Sequence, residues 1–219
     1  DEAGIPLFLV GGNHDAQTLP RMIDDAGTDN IHLLGRDGSW ERHALRVDGA
    51  PVLNLDGWSF PAEHVLESPL PEYGFEPEPD LPTIGVLHAD LDVSDSEYAP
   101  VLKGELMKTD VDGWLLGHIH KPDIHNARDP FILYPGSPQP LDPGEPGPHG
   151  PWLVRIDGQG GVEAERWPIA TLRYDGLEVD ASGATDAKDV PRLVSGSLDQ
   201  RIGAGLEHGG LELLLARVQ

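Results

Sequence analysis

The 219-residue sequence contains no cysteine, which excludes disulfide scaffolds, thiolate metal sites and cysteine nucleophiles. It also lacks any apolar run close to the roughly 18 residues that a membrane-spanning helix requires. The first residues, DEAGIP, do not have the character of a signal peptide. These absences favour a soluble protein that does not enter a membrane, and we expect a cytoplasmic location.

Basic side chains are scarce. Lys and Arg together number 15 against 38 Asp and Glu, which gives a formal net charge of −23. Such acidity is typical of proteins from salt-loving organisms, where salt screens the repulsion between carboxylates. An ordinary acidic cytoplasmic protein is the alternative. In either case the sequence offers no broad basic surface for nucleic acid, so any contact with DNA must be local or mediated by metal ions.

Short apolar runs bounded by Gly, Pro, Asn or Asp recur along the chain, and their length of four to six residues favours strands over helices. We predict strands over 5–10, 31–34, 44–47, 52–55, 83–87, 113–116, 131–134 and 151–156, with further strands over 171–179 and 211–218. Helical spacing of apolar residues predicts helices over 16–26, 98–107 and 186–207. Strands interleaved with helices predict a layered α/β fold.

Two further features predict the domain organisation. Segment 67–82 contains five prolines and five acidic residues, and it predicts an exposed surface loop. The composition changes after Pro168, so we predict one domain over 1–168 and a second, truncated one over 169–219. In the second domain we expect the predicted helix to bury Val190, Leu193, Val194, Leu198 and Ile202.

Three histidine-containing loops follow predicted strands directly: Gly12–Asp15 (GNHD), His88–Asp90 (HAD) and Gly117–His120 (GHIH). Strand ends at one edge of an α/β sheet bring such loops together. Imidazole nitrogen with amide or carboxylate oxygen suits Mn, Fe(II), Co or Zn, and neighbouring glycines let the backbone approach the metal. Each loop alone is ambiguous, because GNHD also favours a turn and a single histidine after a strand is usually structural. The three together predict a metal centre.

The loops also resemble a known family. Asn13-His14, His88 and Gly117–His120 resemble the last three of the five signatures of the calcineurin-like metallophosphoesterases. The segments at 87–100, 112–126 and 134–157 resemble bacterial DNA-repair exonucleases of the SbcD and YhaO type, which are relatives of the nuclease subunit of the double-strand-break repair complex. The resemblance implies part of a four-layered sandwich of mixed sheets flanked by helices, followed by the start of a small α+β capping domain.

The resemblance implies four metal ligands in this chain: Asn13, His88 and His118 for one ion, and His120 for a second. The implied cofactors are two divalent ions, with Mn²⁺ expected first and Mg²⁺, Fe²⁺ or Zn²⁺ as alternatives. The first two family signatures, Asp-x-His and Gly-Asp-x-x-Asp, have no counterpart ahead of GNHD. The internal Asp123-Ile124-His125 is interpreted as a loop. We therefore expect a fragment that by itself holds two ions poorly.

The resemblance also implies catalytic roles. His14 would assist the departing oxygen and Asp15 would orient His14, while two ions about 3.5–4 Å apart activate a water for in-line displacement. Asp90 is a candidate for fixing the tautomer of a ligand histidine. Tyr134 and Ser137 belong to a segment that resembles a cleft-lining loop, and they are predicted to contact the substrate.

The leading functional hypothesis is a Mn²⁺-dependent exonuclease-like phosphodiesterase that acts on DNA ends with an SbcC-like ATPase partner, and we also expect a homodimer. One alternative is a metallophosphoesterase for a small phosphoester or a phosphoprotein, which the acidic composition favours. Another is a non-catalytic scaffold on the same fold. The intact loops, which contain Asn13, His14, His88, His118 and His120, argue against this scaffold.

Overall fold

A computed structural model describes residues 4–206 and 211–218, which form an α/β fold. The strands are β1 (Leu7–Leu9), β2 (Ile31–Leu33), β3 (Glu41–Val47), β4 (Ala50–Trp58), β5 (Thr83–His88), β6 (Asp90–Leu91), β7 (Pro100–Val101), β8 (Gly113–Gly117), β9 (Asp123–Asn126), β10 (Phe131–Tyr134), β11 (Trp152–Ile156), β12 (Val162–Arg166), β13 (Leu172–Leu177) and β14 (Leu213–Val218). The helices are α1 (Leu19–Ala26), α2 (Lys103–Leu106) and α3 (Asp189–Leu206), with a 3₁₀ turn at Leu70–Glu72. None of the helices within these ranges is long and apolar enough to cross a membrane.

A six-stranded mixed sheet forms the centre of the fold, in the order β3-β4-β5-β8-β10-β9. The four inner strands run parallel, and β3 and β9 pair antiparallel at the two edges. The inner strands are continuous apolar runs because both faces of a parallel sheet are covered. Ile84, Leu87, Trp114, Leu116 and Ile132 are accordingly buried. The predicted α/β class with a mixed sheet is therefore confirmed.

A smaller parallel pair, β1 and β2, is connected to the end of β4 by hydrogen bonds. The backbone N–H of Phe60 donates to the carbonyl of Gly11 at 3.0 Å, and the N–H of Gly11 donates to Ser59 Oγ at 2.9 Å. Next to β4, the ends of β5 and β8 lie side by side, with His88 opposite Gly117. The loops that follow β1, β5 and β8 consequently lie at one edge of the structure.

Two predictions of local structure are wrong. The predicted helix over 98–107 is a short strand, Pro100–Val101, followed by the four-residue helix α2. Ala99 has a positive φ of 50°, and a residue before proline is biased away from helix, so the helix cannot begin earlier. Segment 123–126 is the edge strand β9 rather than a loop. Because β9 has a largely exposed face and no apolar run, its sequence carries no strand signal.

The proline-rich segment 67–82 is not fully exposed, contrary to the expectation. Pro69 and Leu70 are buried, and the Pro69 carbonyl accepts a hydrogen bond from Trp40 Nε1 at 2.9 Å. The hydroxyl of Tyr73 donates to Asp56 Oδ2 at 2.7 Å. Burial and the neighbouring Asp56 raise the pKa of Tyr73 above its usual value, which keeps the hydroxyl protonated as a donor. The segment packs because the sheet supplies partners that its own composition does not reveal.

A buried ion pair between β3 and β4 anchors this segment. Arg42 Nε donates to Asp56 Oδ1 and Arg42 Nη2 donates to Asp56 Oδ2, both at 2.8 Å. The side chain of Asp56 is fully buried. Arg42 Nη1 donates to the Glu76 carbonyl at 2.8 Å, and the guanidinium lies over the ring of Phe75. One guanidinium therefore connects two strands to the proline-rich segment.

The chain divides into two compact units, Asp1–Pro135 with Val154–Glu163, and Gly136–Leu153 with Ala164–Gln219. Within the second unit, Asp175 is buried and accepts hydrogen bonds from Arg173 Nε at 2.9 Å and Arg201 Nε at 2.8 Å, which connects β13 to α3. The helix expectation is corrected in part. Leu193, Val194 and Leu198 are half-buried, but Val190 and Ile202 are exposed. The predicted domain boundary near residue 168 stays a prediction.

We expect Arg42→Ala to lower the free energy of unfolding by about 3–5 kcal/mol, because it removes the cationic partner of the buried Asp56 carboxylate and leaves the neutral Tyr73 hydroxyl as a donor. Arg46→Ala is the matched control, since Arg46 lies exposed on the same strand and bonds only to the carbonyl of Gly49 among the hydrogen bonds described. Denaturant unfolding of both variants measures the difference. Equal losses in the two variants would contradict the anchoring role.

Candidate metal centre

Three of the predicted ligands converge where the loops after β1, β5 and β8 meet. Asn13 Oδ1 lies 2.9 Å from His88 Nε2, and His118 Nδ1 lies 3.3 Å from the same nitrogen. Asn13 and His88 are 75 residues apart in sequence, so the fold alone brings them together. The arrangement presents one amide oxygen and two imidazole nitrogens to a common point.

The backbone of the loop after β1 is held by hydrogen bonds to side chains. Ser59 Oγ accepts from the N–H of Gly11 at 2.9 Å and donates to the carbonyl of Leu34 at 2.5 Å. Asp15 Oδ1 accepts from the N–H of Gly12 at 2.6 Å, which closes the turn around Asn13. Asp15 thus stabilises the loop that presents His14, and its predicted role as the orienting partner of His14 stays a prediction.

Two glycines make room for the ring of His88. A Cβ atom added at Gly12 would lie 2.5 Å from Nδ1 of His88, and one added at Gly117 would lie 2.9 Å from the same atom. Both distances are shorter than a carbon can approach without displacing the ring. The edge of Phe60 closes a third side, with ring centroids 5.3 Å apart. The glycines were expected to let the backbone approach a metal, and the structure shows that they leave space for the ring of His88, a predicted ligand.

Burial keeps His88 neutral. Burial, together with repulsion from His118, His14 and His120, lowers the pKa of His88 to about 4, and Asp90 partly opposes this shift. A histidine must be deprotonated to bind a metal, so this environment maintains the binding form at neutral pH. The same interactions place the exposed His14 and His120 within electrostatic range of His88.

The donors fit a divalent transition metal, because neutral imidazole and amide oxygen suit Mn²⁺, Fe²⁺ and Zn²⁺. In residues 4–206 and 211–218, no three His, Asp or Glu side chains are spaced to hold one ion. Asn13 therefore has to complete a three-donor set with His88 and His118. The expectation that this chain alone holds two ions poorly stays a prediction.

His118 adopts an unusual backbone conformation, with φ at 103°. A non-glycine residue in such a conformation costs about 1–3 kcal/mol and persists only where its surroundings fix it. These surroundings include Asp90, whose Oδ1 lies 3.4 Å from His118 Nε2, and Tyr98, whose ring centroid lies 5.0 Å from that of His118. Strain of this kind is found preferentially at functional sites.

The two predicted substrate-binding residues are placed differently from expectation. Tyr134 is only 1% exposed, and its hydroxyl donates to the carbonyl of Ala89 at 2.6 Å, while burial raises its pKa. Tyr134 therefore supports the loop after His88 instead of presenting surface to a substrate. Ser137 lies in the second unit and is buried, and its carbonyl accepts a hydrogen bond from His149 Nδ1 at 2.8 Å.

Sequence reasoning missed Ser59, Ser96 and Tyr98, which position the loops of the centre. Serine and tyrosine in polar loops have no spacing pattern that distinguishes them from ordinary surface residues. The one available signal for Ser96 is the Ser-Asp-Ser run after Asp90, which favours turns.

We expect Gly12→Ala to displace the His88 ring and to weaken divalent-metal binding at least tenfold, because the new methyl group would occupy the position of the ring. Gly11→Ala is the control, since a Cβ there would lie an ordinary 3.7 Å from Ser59 Cβ. Calorimetric titration with Mn²⁺ and Zn²⁺ measures affinity, and circular dichroism confirms that each variant is folded. Equal affinities in two folded variants would contradict the packing assigned to His88.

No family model matches the sequence. The chain is 28% identical over 195 residues to the uncharacterized metallophosphoesterase YhaO of Bacillus subtilis (strain 168). The alignment covers 88% of this chain and 46% of that protein, so the chain spans about half the length of the curated relative it matches. Together with the convergence of Asn13, His88 and His118, this similarity supports the metallophosphoesterase family.

Proposed function

We propose that the protein is a Mn²⁺-dependent phosphodiesterase that hydrolyses DNA at its ends. The observation that carries the proposal is the convergence of Asn13, His88 and His118 at one point, with His14 in the same loop as Asn13. The similarity to a metallophosphoesterase supports phosphoester hydrolysis with divalent metals. The choice of DNA rests on the resemblance of segments 87–100, 112–126 and 134–157 to SbcD-type exonucleases.

In this proposal, Asn13, His88 and His118 hold one divalent ion and His120 contributes to a second. Bound ions of this kind supply Lewis acidity, which activates water and offsets phosphate charge. His88 is suited to its role because it is buried, neutral and closely surrounded. The close packing fixes the position of its nitrogen, and fixed ligands hold an ion in a defined geometry.

In this proposal, His14 is the proton donor to the leaving oxygen. It follows Asn13 directly and is exposed, so a substrate bound at the centre can reach its ring. The hydrogen bond from Gly12 N–H to Asp15 Oδ1 closes the turn that contains His14. That turn fixes the backbone on both sides of His14, which limits the positions that its ring can reach.

Partners and location belong to the same proposal. A net charge of −23 repels a polyanion, so DNA has to be held locally or by a partner. Lys121, which is exposed and follows His120 directly, is one local cation. We therefore include an SbcC-like ATPase partner, a homodimer and a cytoplasmic location in the proposal.

A second candidate function is hydrolysis of a small phosphoester, and the same negative charge favours it. A small monoanion or dianion meets less repulsion than a DNA duplex does, because repulsion grows with the number of phosphates near the surface. The two candidate functions use the same metal centre and differ only in the substrate, which is DNA in the first and a small phosphoester in the second.

We expect His14→Ala to lower the kcat of the full-length protein by about 10²–10⁴-fold, because it removes the proton donor to the leaving oxygen. Binding of Mn²⁺ is expected to persist, since His14 is not assigned as a ligand. Turnover of bis-p-nitrophenyl phosphate and calorimetric titration with Mn²⁺ measure the two effects. The exposed His64 provides the control variant His64→Ala. Loss of metal binding in His14→Ala would contradict the assigned role.

The substrate test compares blunt and hairpin DNA ends with bis-p-nitrophenyl phosphate, all with Mn²⁺ and with the ATPase partner present or absent. We expect cleavage of DNA ends, and the cleavage should weaken as salt rises because phosphate contacts are electrostatic. Turnover of the small ester without any DNA cleavage, even with the partner, would favour the second candidate. No turnover of either substrate by the full-length protein would favour a non-catalytic scaffold.

A further inference from the structure

The ring of His118 is held on three sides. Its Nδ1 faces His88 Nε2 at 3.3 Å, and its Nε2 faces Asp90 Oδ1 at 3.4 Å. The ring of Tyr98 packs against it, with centroids 5.0 Å apart and planes inclined by 35°. The two ring nitrogens therefore have different environments: one points to the converging donors and the other to a carboxylate.

Asp90 is itself held in place by several contacts. Ser96 Oγ donates to Asp90 Oδ2 at 2.6 Å, which leaves Oδ1 to face His118. Ser96 Oγ also accepts from the N–H of Tyr98 at 3.0 Å, and the N–H of Asp90 donates to the carbonyl of Tyr98 at 3.0 Å. Strand β6, which begins at Asp90, pairs with β7 at Pro100. Asp90 is largely buried, with 14% of its side chain exposed.

These contacts bear on which nitrogen of His118 carries the proton. An ionised carboxylate only accepts hydrogen bonds, so the nitrogen that faces Asp90 is the one that bears hydrogen. The 3.4 Å separation between Nε2 and Oδ1 is a few tenths of an ångström longer than an ideal hydrogen bond. The other nitrogen, Nδ1, then has its lone pair directed towards His88 Nε2, which lies 3.3 Å away.

We propose that Asp90, braced by Ser96, is a positioning residue that fixes His118 as the Nε2–H tautomer and so presents Nδ1 as a metal donor. The inference rests on the proposed role of His118 as a ligand. It extends that role by naming the carboxylate and the hydroxyl that maintain it. It also accounts for the backbone strain at His118, since three contacts on the ring hold the residue in that conformation.

The first test observes the tautomer directly and needs neither metal nor activity. At about pH 8, above the ordinary histidine pKa of about 6.5, ¹⁵N NMR of the metal-free chain distinguishes a protonated from a bare ring nitrogen. We expect only Nε2–H for His118 in the parent protein and a mixture of tautomers in Asp90→Ala. Asp90→Asn keeps an acceptor oxygen and is expected to retain mostly Nε2–H. An unchanged tautomer in a folded Asp90→Ala would overturn the inference.

Ser96→Ala provides a second variant that does not remove the carboxylate, in case Asp90→Ala does not fold. It removes the donor to Asp90 Oδ2 and is expected to give a partial mixture of His118 tautomers. Asp95→Ala is the matched control, because Asp95 is an exposed acidic residue in the same loop and its removal changes the net charge equally. We expect no tautomer change in Asp95→Ala, and a change equal to that in Asp90→Ala would overturn the inference.

The second test measures the Mn²⁺ dissociation constant of the full-length protein by calorimetry. Residues that orient a ligand typically contribute about 10- to 100-fold to metal affinity, so we expect a loss of that size in Asp90→Ala and none in Asp95→Ala. The variant His118→Ala distinguishes a failure of the Asp90 inference from a failure of the proposed metal centre. If it weakens binding and Asp90→Ala does not, the inference fails and the proposed centre stands. If His118→Ala leaves binding unchanged, the proposed centre fails and the inference fails with it.

Discussion

The close fit of the His88 ring between Gly12 and Gly117 is the constraint on which the site depends. The two glycines come from loops after different strands, and each approaches the ring so closely that a methyl group would overlap it. Protein interiors are packed at the density of organic crystals, so the ring cannot shift to admit extra atoms without moving a neighbour. The backbone of Gly12 and Gly117 therefore sets the position of His88 Nε2. Asn13 and His118 both lie close to this nitrogen.

The register of the central sheet maintains this fit. In the parallel pairing of β5 with β8, His88 lies opposite Gly117, and Gly85 lies opposite Trp114. A Cβ at Gly85 would overlap the indole of Trp114, which is fully buried in the core beneath the site. The pairing of β5 with β8 thus places an aromatic ring opposite a glycine at two positions. A slip of either strand by one residue would turn its ring to the opposite face and separate both rings from their glycines, so the core and the site specify the register together.

The sequence predicted the inner strands and the three loops because both have local signals. Buried parallel strands are continuous apolar runs, and histidines next to glycine at strand ends are visible in the sequence. Strand β9 was not predicted because it is an exposed edge, and the helix over 98–107 was predicted wrongly because Pro100 and the positive φ of Ala99 interrupt it. The contacts around His118 were predicted only in part. Asp90 was a candidate, but its contact with His118 and its hydrogen bond from Ser96 depend on tertiary structure.

Electrostatics relates the site to the rest of the molecule. None of the donors that converge is a carboxylate, whereas the protein has a formal net charge of −23, so its surface attracts a cation and repels a phosphate. The surface field is screened over about 10 Å at 0.1 M salt and about 3 Å at 1 M, while contacts to a ligated ion act over shorter distances still. An acidic surface and the proposed phosphoesterase centre are compatible for this reason: the attraction between a bound ion and a phosphate acts at contact distance, whereas the repulsion comes from surface charges that lie farther away.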